Sequence, residues 1–372
     1  MYRKYIRNVF FDAQRKDEYI MKKITVKTSE PYNVLIEQGI LNQCGKFISE
    51  VVNTKYAALI TDDIVDSLYS ETVIKSLNEY GFTVKKYVFE NGEKSKCTQN
   101  LNNIYNFLAD NNITRTDCVI ALGGGVVGDI TGYAAATFLR GLPYIQIPTT
   151  LLAQIDSSVG GKTAINLPCG KNLVGAFKQP KLVLCDPCTL KTLSDKIVSD
   201  GMAEAIKYGM IRSRELFDII ASHNLSNYFE QIDDIIYRCV SIKSNIVEND
   251  EFDKGERMLL NFGHTLGHAV ESYYNYSTYT HGSAVAIGMN IITSQAVKHD
   301  MCDELISDVL KKVLTAYNLP LTSDADIKDL IALCSNDKKC ESKSINVIIC
   351  SDIGISYINK ISFEEFSAFI NA

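Results

Sequence analysis

The sequence predicts an α/β N-terminal domain with a mostly parallel sheet, followed by a mainly α-helical C-terminal domain. Two observations predict it. Over the first half, short β-rich runs alternate with amphipathic stretches, the pattern of βαβ units that builds parallel sheets. After about Pro187 long stretches with a 3.6-residue apolar period take over. Ligands of open α/β sheets bind beyond the carboxyl ends of the strands, so the active site is expected in the interdomain cleft.

Element by element, the spacing predicts strands over 24–27, 33–36, 56–61, 83–89, 118–122, 144–147 and 182–185, most of them ending in Gly, Asp, Pro or Thr. Helices are expected between them at 66–80, 99–111 and 130–138. Beyond Pro187, helices are expected at 196–211, 214–222, 228–250, 258–274, 283–298 and 302–317, and a short hairpin at 344–350 and 355–358. The 372 residues divide into an extension over 1–20, an α/β domain over 21–187 and a helical domain over 188–372. The extension is mixed and charged and lacks the apolar stretch of a signal peptide. A chain starting at Met21 is expected to keep activity.

Composition excludes several function classes. The net charge is −6 and basic residues form no long run, which argues against a nucleic-acid surface. No apolar stretch reaches the roughly 20 residues that span a bilayer, so no membrane partner is expected. The 11 cysteines are scattered; Cys185 and Cys188 form a CxxC without a second pair or a nearby His. Free thiols in a reducing cytoplasm are the expectation.

Cys118-Val-Ile-Ala-Leu122 reads as a buried strand leading into Gly123-Gly-Gly-Val-Val-Gly-Asp129 and a helix. Glycines there let backbone approach a pyrophosphate, and the helix start supplies unpaired N–H donors. The loop does not follow the first strand, however, and the next strand ends in Pro148-Thr149-Thr150 rather than a ribose-binding acid. Asp62, after the strand over 56–61, is a candidate for that role. From the motif alone, a Rossmann-like dinucleotide loop and a tight structural turn both stay open.

Three of the 5 histidines fall close together in sequence: His264 and His268, four apart on one helical face, and His281. With a carboxylate they could hold a catalytic metal. Glu204 is the candidate, because its stretch is otherwise apolar and an unpaired carboxylate is costly to bury. Surface or capping histidines and a solvated glutamate are the alternative. Arg140, Lys162, Lys171, Lys207, Lys243, Arg257, Lys338 and Lys339 stand in or beside Gly-, Asn- or apolar-rich contexts. Convergence of several would suit a polyanionic substrate.

Taken in order, Gly123-Gly-Gly-Val-Val-Gly-Asp129, Arg140-Gly141, Pro148-Thr-Thr-Leu-Leu-Ala-Gln-Ile-Asp156-Ser-Ser-Val-Gly-Gly-Lys162, Gly170-Lys-Asn172, Gly201-Met-Ala-Glu-Ala-Ile-Lys-Tyr-Gly209, Asn261-Phe-Gly-His-Thr-Leu-Gly-His268 and His281-Gly282 resemble the dehydroquinate synthase family. The resemblance runs from about Ile24 to the C-terminus. It implies NAD, one divalent metal (zinc or cobalt) and a homodimer. It also implies a shikimate-pathway substrate, 3-deoxy-arabino-heptulosonate 7-phosphate, carried through transient oxidation, phosphate elimination, re-reduction and aldol closure.

The resemblance also implies residue roles. Glu204, His264 and His281 would ligate the metal. Asp62, Glu93, Lys96, Gly124, Gly125, Val126, Asp129, Thr149, Thr150, Lys171, Thr189, Leu190, Lys191 and Thr192 would surround NAD. His268, Lys162, Asp253, Arg140 and Asn261 would act at the reacting atoms. Asp156, Asn172, Lys207, Lys243, Arg257 and one of Lys338 or Lys339 would hold the substrate. Two positions depart from the family: Ile64 stands where it usually has Asn, and Asp253 where it has Glu. Another sugar-phosphate cyclase, a metal-dependent alcohol or glycerol dehydrogenase and a non-catalytic relative are the rival readings.

Overall fold

The computed structural model describes residues 21–336 and 344–371. The extension over 1–20, Lys338 and Lys339 lie outside the described residues. Strands β1 (Lys22–Val26), β2 (Tyr32–Ile36), β3 (Tyr56–Asp62), β4 (Thr83–Phe89), β5 (Cys118–Gly123) and β6 (Tyr144–Pro148) enter the main sheet. Strands β7 (Lys162–Leu167) and β8 (Gly170–Phe177) form a separate antiparallel hairpin, and β9 (Leu182–Cys185) returns to the sheet. The seven strands lie in the order β1-β2-β9-β6-β5-β3-β4, all neighbours parallel except β1 with β2. Central strands are covered on both faces, so β5 and β6 are buried throughout. The edge strand β4 instead exposes Lys85 and Lys86, charges that discourage further pairing.

Helices α1 (Cys44–Val51), α2 (Asp63–Val65), α3 (Glu71–Glu79), α4 (Thr98–Asp110) and α5 (Gly125–Thr137) connect the strands. Two hydrophobic cores result, one joining α1 and α3 to the sheet, the other joining α4 and α5 to it. Then follow α6 (Asp195–Arg212), α7 (Arg214–Ala221), α8 (Ile232–Asn249), α9 (His264–Tyr273), α10 (His281–Lys298), α11 (Glu304–Ala316) and α12 (Ile327–Asn336). The hairpin β10 (Ser344–Asp352) and β11 (Ile355–Ser362) and helix α13 (Phe363–Asn371) close the chain. The helical part shares one core with Val26, Tyr32, Val34 and Ile36 of β1 and β2, so it is welded to that end of the sheet.

The expected strands of the main sheet agree with the observed ones to within two residues, while β11 runs four residues past the expected 358. Helices α1, α12 and α13 were not expected, and three further differences bear on the site. The β7–β8 hairpin was not expected; its run of Lys, Asn and Gly hides the alternation, and its apolar side is covered by packing on α5. The helix expected over 66–80 begins with a π turn, Asp66–Ser70, before α3. The single helix expected over 258–274 is a 3-10 turn, Glu256–Asn261, followed by α9.

The break before α9 has a local cause. Gly263 takes φ 77, a left-handed conformation that glycine adopts at little cost. A Cβ there would also lie 2.7 Å from the Val285 carbonyl oxygen. The chain therefore turns tightly against α10, and α9 restarts at His264.

Candidate active site

Glu204 stands in the middle of α6 and is fully buried. Lys207, three residues on and equally buried, pairs with its Oε2. Oε1 takes no hydrogen bond, and the Nε2 atoms of His264 and His281 each lie 3.5 Å from it. His264 begins α9 and His281 begins α10. At Gly282 a Cβ would meet the Asp200 Cα at 2.7 Å, so the start of α10 can rest directly on α6. The Gly282 N–H donates to Asp200 Oδ1 at 2.5 Å and locks that contact.

The distal ring nitrogens are held as well. His264 Nδ1 donates to the Phe262 carbonyl at 3.1 Å, and His281 Nδ1 faces Glu271 Oε2 at 3.5 Å. In neutral His264 this leaves the Nε2 lone pair directed at Glu204, whereas His281 offers its Nε2 lone pair only once the second proton has left the ring. Burial drives the His264 pKa down to about 3, with the Lys207 charge adding to it, so this ring is neutral at pH 7. Burial disfavours the Glu204 anion, but Lys207 and the two histidines outweigh it and hold the carboxyl well below its usual range. Burial also disfavours a charged His281, yet its contacts with Glu204 and Glu271 raise it to about 10.

A buried carboxylate oxygen facing two imidazole nitrogens calls for positive charge in the gap, which a protonated His281 or a divalent metal in its place can supply. Two nitrogens and one oxygen form the donor set of a catalytic zinc-type site, so these residues fit a divalent metal. Their ligand atoms lie within 4.8 Å of one another, as do those of a second group, His268, Glu271 and His281. In that second group Glu271 is already engaged, since its Oε1 takes the Lys171 ammonium at 3.0 Å. His268, four residues along α9, is exposed, its ring centred 5.5 Å from that of His264.

Beside this centre lies a second buried charge group. Asp156 pairs with Lys243 of α8 and accepts from the Tyr208 hydroxyl at 3.0 Å. Burial works against the Asp156 anion, but Lys243 and then Lys207 hold its pKa below the ordinary value. Burial lowers Lys243 to about 8 against the pull of Asp156, and Arg257 and Lys207 push the same way. Arg257 is buried and donates to the Gly160 carbonyl at 3.3 Å and the Glu251 carbonyl at 2.8 Å. Lys162 pairs with Asp253 at 2.5 Å. Arg140 and Asn261 are exposed, Arg140 in a left-handed conformation after α5 and Asn261 three residues before His264.

The glycine-rich loop sits where the chain reverses its path across the sheet. From β3 the connection runs outward to β4; from β5 it runs the other way, to β6 and β9. The crevice between the carboxyl ends of β3 and β5 is therefore a topological switch point, the usual ligand position in such sheets. Asp62 closes β3 there, and Gly123 closes β5. The helix after the loop, expected from 130, starts at Gly125, so Val126, Gly128 and Asp129 lie in its first turns. One Asp62 oxygen accepts the Val65 N–H at 2.9 Å.

Around this crevice, the Thr149 N–H donates to Gly123 at 3.0 Å, and Thr150 flanks Gly124. Lys96 pairs with Asp129 and reaches Asn172 Oδ1 at 2.5 Å; Glu93 accepts from Asn166 at 2.7 Å. Thr192 meets the Tyr69 hydroxyl at 2.6 Å, Thr189 accepts from Gln154 at 3.1 Å, Leu190 is buried and Lys191 covers Phe229. Lys171 is the exception, its ammonium lying on Glu271 beside the histidines rather than on the loop. Glu271, Tyr208 and Tyr69 were not anticipated from sequence. Glu271 had one available signal, its place three residues after His268 on the histidine helix.

Known proteins match nearly the whole chain. Residues 86–200 match the family model described as 3-dehydroquinate synthase N-terminal, and residues 201–340 the one described as 3-dehydroquinate synthase C-terminal. The 3-dehydroquinate synthase of Clostridium kluyveri is 46% identical over 353 residues, covering 94% of this chain and 98% of that protein. That of Clostridium acetobutylicum is 48% identical over 337 residues, covering 90% and 94%. The 2-epi-5-epi-valiolone synthase of Streptomyces hygroscopicus, solved with NAD+ and Zn2+, shares the fold at a TM-score of 0.84 and 24% identity, covering 94% of this chain and 98% of that one. The chain belongs to the 3-dehydroquinate synthase family.

Proposed function

We propose that this chain converts 3-deoxy-D-arabino-heptulosonate 7-phosphate to 3-dehydroquinate and phosphate, a shikimate-pathway lyase reaction that needs NAD and one divalent metal, zinc or cobalt. The observation that carries the reading is the proximity of two groups built on buried side chains: the Glu204, His264 and His281 donor set, and the Lys207, Lys243 and Asp156 charge cluster. A simple alcohol dehydrogenase has use for the first group but no polyanion to justify the second.

When bound, NAD supplies a hydride acceptor and donor, and the metal supplies a Lewis acid toward the carbinol oxygen. The chain supplies the rest. Glu204, His264 and His281 hold the metal. Asp62 takes the ribose, and Gly124, Gly125 and Val126 bring N–H groups to the pyrophosphate. Glu93, Lys96, Asp129, Thr149, Thr150, Thr189, Leu190, Lys191 and Thr192 shape the rest of the cofactor crevice, and Lys171 closes its metal side. Lys207, Lys243, Arg257, Asn172 and Asp156 orient the sugar acid. Lys162, Asn261, Arg140 and one of Lys338 or Lys339 face the phosphate, with Lys162 freed from Asp253 as the anion arrives. His268, exposed beside the centre, donates to the phosphate or passes a proton. The chain is further proposed to act in the cytoplasm, where thiols stay reduced as its described cysteines are, and, from its family resemblance, as a homodimer.

Phosphate release from the heptulosonate phosphate, followed with NADH absorbance, tests this. Stoichiometric phosphate with no net NADH is expected. NADH accumulating with product would move the chain to the dehydrogenases, and turnover of a different phosphorylated sugar in place of this one would move it to another cyclase.

A further inference from the structure

The metal-centre reading above leaves one buried ionised side chain of the site without a role. Glu271 lies on α9 and is 4% exposed. Its two oxygens are divided between two elements. Oε2 lies 3.5 Å from His281 Nδ1, on the side of the ring opposite Glu204, and Oε1 takes the Lys171 ammonium at 3.0 Å from the β7–β8 hairpin. Lys171 is itself steadied, its ammonium standing 4.4 Å from the centre of the Tyr276 ring. The neighbouring Asn172 accepts from Lys96, which pairs with Asp129 in the second turn of α5. A continuous polar chain therefore runs from the glycine-rich loop through the hairpin tip to the back of His281.

We propose that Glu271 is a positioning residue for the metal centre: it fixes the ring of His281 with Nε2 turned toward Glu204, and Lys171 holds it there from the hairpin. The reason is chemical. An imidazole with its other N–H given to a carboxylate has a settled tautomer, a fixed ring plane and a more electron-rich ligand nitrogen. His264 obtains its orientation differently, from a backbone carbonyl of its own turn. His281 opens a helix and has no such local acceptor, so its orientation depends on a residue from another element.

Zinc affinity of the metal-free full-length chain, measured by chelator competition, tests the proposal and rests on the same metal-centre reading. Glu271→Gln keeps the volume and an acceptor oxygen but no charge, and is expected to bind zinc about tenfold more weakly; Glu271→Ala is expected to lose about a hundredfold. Both should still reach one zinc per chain at saturation, whereas Glu204→Ala should not. Should Glu271→Ala fail to fold, the Gln variant carries the test alone. Affinity within about threefold of the wild type in the Gln variant would overturn the positioning role. A site emptied by Glu271→Gln but filled in Glu204→Ala would overturn it too, by making Glu271 a ligand in the second histidine group. Zinc retained by both Glu204→Ala and His264→Ala would instead sink the metal-centre reading itself.

Discussion

Glu204 Oε1 and His281 Nε2 stand 3.5 Å apart although one lies in the middle of α6 and the other at the start of α10. The contact depends on Gly282, whose missing side chain lets the two helices touch backbone to backbone. Gly282→Ala places a methyl against the Asp200 backbone and pushes the start of α10 outward. Overpacking of this kind costs about 1–3 kcal/mol. The variant is expected to melt lower and to bind zinc more weakly, as thermal unfolding and chelator competition will read.

His264 and His268 share a helix face but should fail differently. His264 Nε2 faces Glu204, whereas His268 stands exposed four residues on. His264→Ala is expected to lose both metal and activity. His268→Ala is expected to keep one metal per chain and turn over about 10²–10⁴ times more slowly, the range for a lost acid or base. Metal analysis of the two purified variants decides. If His268→Ala is the one that empties, the ligand assignment is exchanged.

Lys207 neutralises a fully buried carboxylate. Removing one partner of such a pair leaves an uncompensated charge and costs about 3–5 kcal/mol. A bound divalent metal would supply the missing positive charge. Lys207→Met should therefore lower the melting temperature strongly in metal-free protein and much less in zinc-saturated protein. Equal losses in the two states would place the metal elsewhere.

Burial pulls the pKa of Lys243 down to about 8 from the usual 10.5 of a lysine. Below pH 8 both folded and unfolded chains carry the proton; between the two values the unfolded chain alone carries it, so this group's contribution to stability rises with pH there. Function runs the opposite way, because the cation offered to an anionic substrate disappears. The kcat/KM for the heptulosonate phosphate is expected to fall above about pH 8, and Lys243→Arg should move that fall to higher pH. An unmoved alkaline limb would assign it to another group.

Asp62 has a structural duty as well as a proposed ribose contact, since it caps α2 through the Val65 N–H. Asn caps about as well as Asp, while Ala costs about 0.5–2 kcal/mol. Asp62→Asn should therefore keep the melting temperature and weaken NAD binding, and Asp62→Ala should lower both. Calorimetric titration with NAD on the two variants separates the roles. Unchanged NAD affinity in both would remove Asp62 from the cofactor site.

The sequence by itself determined the layered plan. Strand-forming runs such as Cys118-Val-Ile-Ala-Leu122 announce buried parallel strands, and the periodic second half announces helices, because those patterns follow from local geometry. It also marked Glu204, an acid in an apolar helix, and the unusual cluster of histidines. Only the tertiary structure decided what these residues face. The glycine-rich loop looked misplaced because it did not follow the first strand, and the strand order put it at the switch point beside Asp62. The helix expected over 258–274 broke at Gly263 because α10 lies against it, a contact with a distant segment that periodicity does not encode. The β7–β8 hairpin stayed hidden because its polar residues are held by distant partners, Lys162 by Asp253, Asn166 by Glu93, Asn172 by Lys96 and Lys171 by Glu271, rather than by its own alternation. Glu271 shows the same limit: an acid on a helix is ordinarily solvated, and only the arrival of His281 on one side and Lys171 on the other buries its charge.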